Sequence, residues 1–309
     1  MTGTTTGRRF AHPALFYRNK EQYIAGTVPF LLEGVSAGEP VAVAAPPARL
    51  EWIRQELAEH AGQVRFIDMT EAGRNPGRII PQVLRRFADA HPTQRVRIIG
   101  EPIWPGRTST EYPACVQHEA LINAAFTSRE ATILCPYDAE GLEEQVLADA
   151  WATHPVVLDE HGERVSDAYD PWEVVNRYNQ LPPALPDAAA CAFSREQLPE
   201  VRYFAVGHGK KLGLAGIQLE DLALAVAELT TNAVVHGEGR GVLRIWAEGS
   251  QVVCEVHDGG RLTDPLAGRR PVAPTVPGGR GLLMVNRLAD LVRTQSGDSG
   301  TTIRFYLGN

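Results

Sequence analysis

Residues 228–236 of the chain, Glu-Leu-Thr-Thr-Asn-Ala-Val-Val-His, place a carboxylate, a carboxamide and an imidazole four positions apart. In a helix such side chains rise one above another, so the stretch predicts a helix with Glu228, Asn232 and His236 on one face. A carboxylate that orients a nucleophile, beside an amide oxygen that holds a hard cation, suits Mg²⁺-nucleotide chemistry. A solvated polar helix face has the same pattern, so the rest of the C-terminal third has to decide between the two.

Three further segments downstream have residues suited to a nucleotide. Asp258-Gly259-Gly260 ends an apolar strand, where Asp258 can bind an amino group while the glycines let a planar ring approach the backbone. Gly278-Gly279-Arg280-Gly281 precedes a predicted helix, and exposed N–H groups at a helix N-terminus bind phosphate. Gly300-Thr301-Thr302 brings a pair of hydroxyls into the last predicted strand. Each segment taken alone also fits an ordinary turn, loop or strand.

In this order and spacing, the four segments resemble the ATP site of the Bergerat-fold (GHKL) proteins. Within that group, which includes gyrase, histidine kinases and MutL, the resemblance is nearest to the anti-sigma factor/serine-protein kinases, and it covers about residues 190–309. It implies an α/β two-layer sandwich with a mixed sheet, ATP and Mg²⁺ as cofactors, and a sigma factor and an anti-anti-sigma (STAS-type) protein as partners. The family often continues Asp-x-Gly-x-Gly, and this chain has Leu262 in place of the second of those glycines.

The resemblance also implies individual roles. Glu228 would orient or deprotonate the attacking hydroxyl, and Asn232 would coordinate Mg²⁺. Asp258 would bind the adenine amino group, assisted through water by Thr302. The other implied cofactor-binding residues are His236, Gly260 and, at the end of a mobile lid, Gly279, Arg280 and Gly281.

A proline-rich stretch divides the chain. Three prolines within residues 182–186 predict a stiff connector without regular structure. We therefore predict domains at residues 10–180 and 190–309, joined by a linker at residues 181–189. Before the linker, β-branched runs alternate with segments of helical periodicity. The first predicted helix covers residues 14–35. Such alternation is typical of a parallel sheet covered by helices.

The N-terminal part is similar to the MEDS sensory domain over about residues 10–178. The segments that indicate this are Gly100-Glu101-Pro102-Ile103-Trp104-Pro105, His118-Glu119-x-x-x-Asn123 and Cys135-Pro136-Tyr137-Asp138. The resemblance implies a RecA-like parallel sheet with helices on both faces that senses small molecules or partners. The first strand-loop-helix has prolines at positions 46 and 47 and no P-loop lysine, so ATP is not expected here.

A small effector would bind beyond the carboxyl ends of the parallel strands. The same side chains could instead cap helices and satisfy loop N–H groups. The candidate residues for this sensory pocket are Asp68, Glu101, Trp104, Tyr137, Asp138 and His154.

Composition restricts the class of protein. The net charge is −7, and residues 1–186 contain 24 acidic against 17 basic residues, whereas residues 187–309 contain 13 of each. Without a basic domain, no direct contact with nucleic acid is expected. No apolar run suits a membrane span. The four cysteines form no CxxC pair, so we predict a cytoplasmic protein with neither a disulfide framework nor a zinc site.

Together these patterns predict a two-domain cytoplasmic regulator. A sensory domain would control an ATP-dependent anti-sigma factor and serine/threonine kinase, and a homodimer is left open. One alternative is a non-catalytic ATP-dependent clamp that only binds partners. Another is an atypical sensor histidine kinase with His118 or His208 as the phosphoacceptor.

Overall fold

A computed structural model of the chain describes residues 10–272 and 279–308, and Gly278 of the glycine loop lies outside them. These residues form two compact units, one ending at Tyr178 and the other beginning at Asn179. Among the described residues, no helix is both long and apolar enough to cross a membrane.

The first unit contains an eight-stranded sheet in which β7 and β8 form an antiparallel hairpin and every other described pairing is parallel. The strand order is β4-β3-β5-β6-β2-β7-β8, with β1 also beside β6. The strands are β1 (Phe10–Ala11), β2 (Pro13–Tyr17), β3 (Val41–Ala45), β4 (Val64–Asp68), β5 (Val96–Gly100), β6 (Ala131–Asp138), β7 (Val156–Asp159) and β8 (Gly162–Val165).

Seven α-helices accompany this sheet, with short 3-10 and π turns at Ala58–Gln63, Pro76–Arg78 and Ile79–Leu84. Residues on opposite faces of the central strands, such as Val43 and Ala44 of β3, are buried alike, as expected of a parallel sheet covered on both sides. The helices are α1 (Lys20–Ser36), α2 (Pro47–Leu57), α3 (Met69–Ala72), α4 (Arg85–Asp89), α5 (Tyr112–Ala125), α6 (Glu144–Thr153) and α7 (Pro171–Arg177).

The first predicted helix starts too early. Helix α1 begins only at Lys20, because the side chain of Asn19 accepts a hydrogen bond from the Gln22 N–H (2.9 Å) and caps the helix there. Residues 14–17 lie before this cap and belong to β2. The apolar run before this cap pairs with β6 and β7 in the sheet. An apolar run of this length fits either type of element, and the cap decides between them.

The second unit is a five-stranded sheet in the order β12-β13-β11-β10-β9. Its buried cluster joins the inward residues of the sheet to α8, α9 and α10, which gives the predicted two-layer sandwich. The predicted mixed sheet is wrong in one respect, because all pairings between described strands are antiparallel. The elements are β9 (Ala189–Ser194), α8 (Leu198–Lys211), α9 (Ile217–His236), β10 (Arg240–Glu248), β11 (Gln251–Asp258), α10 (Gly281–Leu288), β12 (Leu291–Gly297) and β13 (Gly300–Gly308).

The chain just before β9 is tied to this sheet. Asn179 exchanges two hydrogen bonds with the backbone of Ser296, donating to its carbonyl (2.8 Å) and accepting from its N–H (3.0 Å). Arg293 donates to the carbonyl of Gln180 (2.8 Å). Arg304 donates to the carbonyl of Pro182 (2.8 Å). The first residues of the proline-rich stretch therefore pack against β12 and β13.

Candidate functional site

Helix α9 separates an apolar face from a polar one. Leu222, Val226 and Leu229 are buried against the sheet. Glu228 and Asn232 are partly exposed on the adjoining face, as the spacing of four predicts. The helix ends at His236, which is exposed.

A cavity of about 400 Å³ opens beside the end of α9. Polar groups from α9 and from the end of β11 meet apolar side chains of the following loop, and the volume is in the range of small-molecule sites. The residues around it are Asn232, His236, Asp258, Gly260, Arg261, Leu262, Asp264, Leu266, Ala267, Gly268, Arg270, Val272, Gly279, Gly281, Leu282, Thr301 and Ile303.

Asp258 lies at the end of β11 and has its carboxylate at the cavity. Burial raises the pKa of Asp258 above its ordinary value, although the Gly260 N–H donates a hydrogen bond to its Oδ1 (2.7 Å) and opposes the shift. A Cβ on Gly260 would lie 2.7 Å from the carbonyl oxygen of His236 and 2.8 Å from Asp258 Oδ1. Only glycine fits here, so the backbone of this turn stays open toward the cavity.

The N-terminus of α10 closes the cavity on the side of α9. A Cβ on Gly281 would lie 2.6 Å from Glu228 Oε2 and 3.2 Å from the side-chain nitrogen of Asn232. The first turn of α10 therefore reaches both side chains, and its positive dipole end faces the carboxylate of Glu228. Glu228 is not among the residues that line the cavity, whereas Asn232 is.

Thr301, and not Thr302, faces the cavity. The Thr301 hydroxyl donates to the carbonyl of Gly260 (2.8 Å) and accepts from the Leu262 N–H (3.1 Å), which fixes the turn after β11. The Thr302 hydroxyl is instead 2.9 Å from Nδ1 of His257, its cross-strand partner. Adjacent residues of a strand lie on opposite faces of the sheet, so Thr301 and Thr302 have different surroundings, and the role predicted for Thr302 stays a prediction.

The loop between β11 and α10 is anchored at several points. Asp264 caps the turn at Leu266 (3.0 Å) and pairs with Arg270. The side-chain amide of Asn286 in α10 donates to the carbonyl of Gly268 (3.1 Å). These contacts hold the described part of the loop beside the cavity.

The glycine positions at the end of this loop are partly described. Gly279 lines the cavity with a positive φ of 73°, a backbone conformation that favours glycine. Arg280 is exposed and is the N-cap of α10.

The six residues predicted as a sensory pocket divide into separate sets of contacts. Asp68 caps α3 by accepting from the Thr70 N–H (2.8 Å), which is the structural alternative foreseen for it. Trp104 stacks with Arg107, whose guanidinium carbon is 4.0 Å from the ring centre. Tyr137 packs edge-on to His154, with ring centres 5.6 Å apart.

The other two sensory candidates belong to a buried network. Glu101 is 1% exposed and accepts hydrogen bonds from Tyr17 and Tyr23 (both 3.2 Å). Arg49 lies 3.8 Å from Glu101 and 3.3 Å from Asp138. Burial raises the pKa of Glu101 to about 8 against the lowering effects of Arg49 and the tyrosines.

The two histidines considered as phosphoacceptors differ in exposure. His118 of α5 is 1% exposed, so a nucleotide bound elsewhere has no access to it. His208 is partly exposed in α8, with Nδ1 3.0 Å from the carbonyl oxygen of Phe204. Burial therefore argues against His118 as a phosphoacceptor and not against His208.

Comparison with known proteins gives each unit its own match. Residues 11–155 match the family described as MEDS, the methanogen/methylotroph DcmR sensory domain. Residues 191–307 match the histidine kinase-like ATPase domain. The chain therefore has an N-terminal MEDS domain and a C-terminal GHKL-type ATPase domain, and the second match implies ATP as its nucleotide.

Curated relatives and a solved structure match about a third of the chain. Two serine-protein kinases named RsbW, from Halalkalibacterium halodurans and Bacillus licheniformis, are each 29% identical over 117 residues. These alignments cover 33% of this chain and 70% and 72% of the respective kinases. A crystal structure of the RsbU and RsbW domains of a Mycobacterium tuberculosis protein matches with 20% identity and a TM-score of 0.29, over 38% of this chain and 32% of that one.

Proposed function

We propose that the C-terminal domain binds ATP·Mg²⁺ and phosphorylates a serine or threonine of a protein partner. The observation that supports this most is the cavity bounded by Asn232, Asp258 and the first turn of α10, with Glu228 next to Gly281. The likeness to two serine-protein kinases adds the reaction type. We extend the same proposal to two domains, predicted at residues 10–180 and 190–309, and assign Asn179, Gln180 and Pro182 to the second because they bind β12 and β13.

The residues around the cavity fit the parts of such a nucleotide. The carboxylate of Asp258 suits the amino group of adenine, and the apolar side chains of Leu262 and Ile303 suit the faces of its ring. The amide oxygen of Asn232 suits a hard cation such as Mg²⁺. The N–H groups at the start of α10, next to Gly281, suit a phosphate.

When bound, ATP·Mg²⁺ supplies the γ-phosphoryl group. Glu228 would orient the serine or threonine hydroxyl of the partner and accept its proton as the hydroxyl oxygen bonds to the γ-phosphorus, while the bond to the bridging oxygen breaks and ADP leaves. Asn232 would hold the cation. Gly281 lets α10 approach both side chains without a clash.

The proposed partners are a sigma factor, which the domain sequesters, and an anti-anti-sigma protein, which it phosphorylates. The MEDS domain would set the balance between these two states in the cytoplasm. This assignment extends the RsbW likeness to a chain with a different N-terminal domain, and binding partners captured from the native host with ATP or ADP present would identify the pair.

Transfer of labelled phosphate from ATP to the candidate antagonist tests the proposal. We expect Glu228→Gln to bind ATP and to lose at least about 100-fold in transfer rate. Glu220→Gln is the matched control, because Glu220 is an exposed carboxylate in the first turn of the same helix.

The outcomes separate the alternatives. Acid-stable phosphate on the partner, dependent on Glu228, supports the kinase. ATP-dependent capture of a partner without any transfer supports the clamp instead. Acid-labile phosphate on the chain itself would overturn the serine/threonine assignment.

A further inference from the structure

Four side chains that bind transition metals meet in the interior of the first unit. His12 precedes β2, Glu119 lies in α5, Cys135 lies in β6 and His154 follows α6. One ligand atom from each lies within 4.8 Å of the others. The four residues are between 0% and 2% exposed. The four residues are far apart in the sequence, and only one of them is a cysteine. The spacing of the cysteines therefore did not predict a zinc site.

Three distances within this cluster are close to those between neighbouring ligands of a tetrahedral zinc ion. Nε2 of His12 is 3.3 Å from Glu119 Oε2 and 3.3 Å from the sulfur of Cys135. Nε2 of His154 is 3.2 Å from the same Glu119 oxygen. Zinc bonds to nitrogen and oxygen of about 2.0–2.1 Å put neighbouring ligands of a tetrahedron about 3.3 Å apart.

The hydrogen bonds on the far side of each imidazole fix its tautomer. Nδ1 of His154 is 2.9 Å from the carbonyl oxygen of Ala150, which only accepts, so this nitrogen carries the proton. Nδ1 of His12 is 3.2 Å from the side-chain oxygen of Asn123. The Asn123 amide nitrogen already donates to the carbonyl of Thr153 (2.9 Å), so its oxygen is the acceptor. In the neutral form of each ring, Nε2 is then the nitrogen available to bind a metal ion.

The Glu119 carboxylate is buried between the two imidazoles. Among the described residues, neither Glu119 oxygen nor Nε2 of His154 has a hydrogen bond of acceptable geometry. Polar atoms buried in this way are costly unless a partner compensates them, and a metal ion at the centre of the cluster would bind all of them at once.

We propose that His12, Glu119, Cys135 and His154 form a closed tetrahedral site for a divalent transition metal, for which zinc is the best match. Two imidazoles, a thiolate and a carboxylate are zinc ligands, whereas Mg²⁺ and Ca²⁺ take oxygen. Four protein ligands leave no open position, so the ion is structural and joins four elements of the MEDS domain. Asn123 and the carbonyl of Ala150 are the outer partners that orient the two rings.

Binding of the metal also moves one proton. An ordinary thiol is mostly protonated at neutral pH, and only the thiolate is a zinc ligand. When Zn²⁺ binds, the S–H bond breaks, the Zn–S bond forms and the proton leaves to solvent. The thiolate and the Glu119 carboxylate then neutralise the two positive charges of the ion.

Metal content and cobalt spectroscopy of the full chain test this proposal. We expect the purified chain, after treatment with a chelator and dialysis, to bind one equivalent of Zn²⁺ or Co²⁺. Co²⁺ should give the strong visible bands of a tetrahedral ion and a thiolate-to-cobalt absorption in the near ultraviolet. Cys135→Ser should lose the thiolate band, and Asn123→Ala should weaken binding by about 10–100-fold.

Two controls keep the result interpretable. Cys191→Ser changes a partly exposed cysteine of the other unit and should leave the cobalt spectrum unchanged. Calorimetric titration of the unaltered chain with Zn²⁺ in two buffers should show release of one proton, which does not depend on how a variant folds. No bound metal, no proton release, or a thiolate band that survives Cys135→Ser would each overturn the proposal.

Discussion

The two units place polar side chains at the ends of their strands in opposite ways. At the end of β11, Asp258 faces an open cavity, and Thr301 and the Gly260 turn hold the backbone around it. At the end of β5, Glu101 is enclosed by the tyrosines of β2 and α1. The contrast shows that a carboxylate at a strand end can bind a ligand only where the other side chains of the protein do not surround it. Where the chain supplies every partner, the same residue type stabilises the fold.

The largest expected effect that tests this comparison is a loss of ATP affinity on substitution of Asn232. Asn232→Ala removes an amide from the cavity without opening the core, so we expect about 100-fold weaker ATP binding with little change in melting temperature. Calorimetric titration with an ATP analogue measures the first quantity and a thermal melt the second. Thr231→Ala, which changes an exposed residue of the same helix, is the control. A large drop in melting temperature with unchanged affinity would make the polar face of α9 a structural feature.

A smaller loss is expected where α10 approaches α9. Gly281→Ala places a methyl group 2.6 Å from Glu228 Oε2, so either the Glu228 side chain or α10 has to move, and we expect about 10-fold weaker ATP binding from the disturbed site. Gly207→Ala in α8 is the matched control, since a Cβ there meets no atom within 4 Å. The control should keep its affinity and gain up to about 1 kcal/mol in stability from helix propensity. Equal affinity in the two variants would contradict the close approach.

The smallest effect is a pH dependence of stability in the first unit. The pKa of Glu101 rises from 4.5 to about 8 on folding, so the folded chain binds this proton more tightly than the unfolded chain. The resulting stabilisation is complete below about pH 4.5 and is lost as the pH rises toward 8, by at most about 1.4 kcal/mol per pH unit.

Glu101→Gln has no proton to lose, so this slope should be absent from the variant. Urea unfolding of both chains between pH 5 and 8 measures the difference, and the contribution of Asp258 cancels because both chains retain it. Parallel stability curves would mean that Glu101 is ionised in the folded chain as well.

Local sequence patterns predicted the elements around the cavity better than they predicted contacts between distant residues. The face of α9 follows from a spacing of four, and the turn at Asp258-Gly259-Gly260 from its glycines. The sequence named Thr302, whereas Thr301 lines the cavity, because the face of a strand changes with each residue and the pair Thr-Thr does not tell which one faces it. The proposed metal cluster was not foreseen, since His12 and His154 meet only through the strand order β6-β2-β7.

The β9 strand and the sensory candidates show the same limit. The mostly small residues of Ala189–Ser194 have a low strand propensity and do not predict a strand. The segment becomes a strand by pairing with β10. Asp68 and Trp104 were both predicted to line the sensory pocket because both lie at the ends of parallel strands. In the structure, each side chain contacts a residue of its own loop, Thr70 and Arg107 respectively. Pairing with a distant strand decided the first case, and partners within the same loop decided the second.

The pinned proline-rich stretch has a consequence for how this ATPase domain can be transplanted. Asn179 is bound to the backbone of Ser296, whose hydroxyl lies 2.9 Å from that of Thr301 at the cavity. A graft that begins at residue 190 would discard Asn179 and the carbonyls that now receive Arg293 and Arg304. A transplanted ATPase domain should therefore start at Asn179. The proline-rich residues, which resemble a spacer in the sequence, should be kept as part of the domain that follows them.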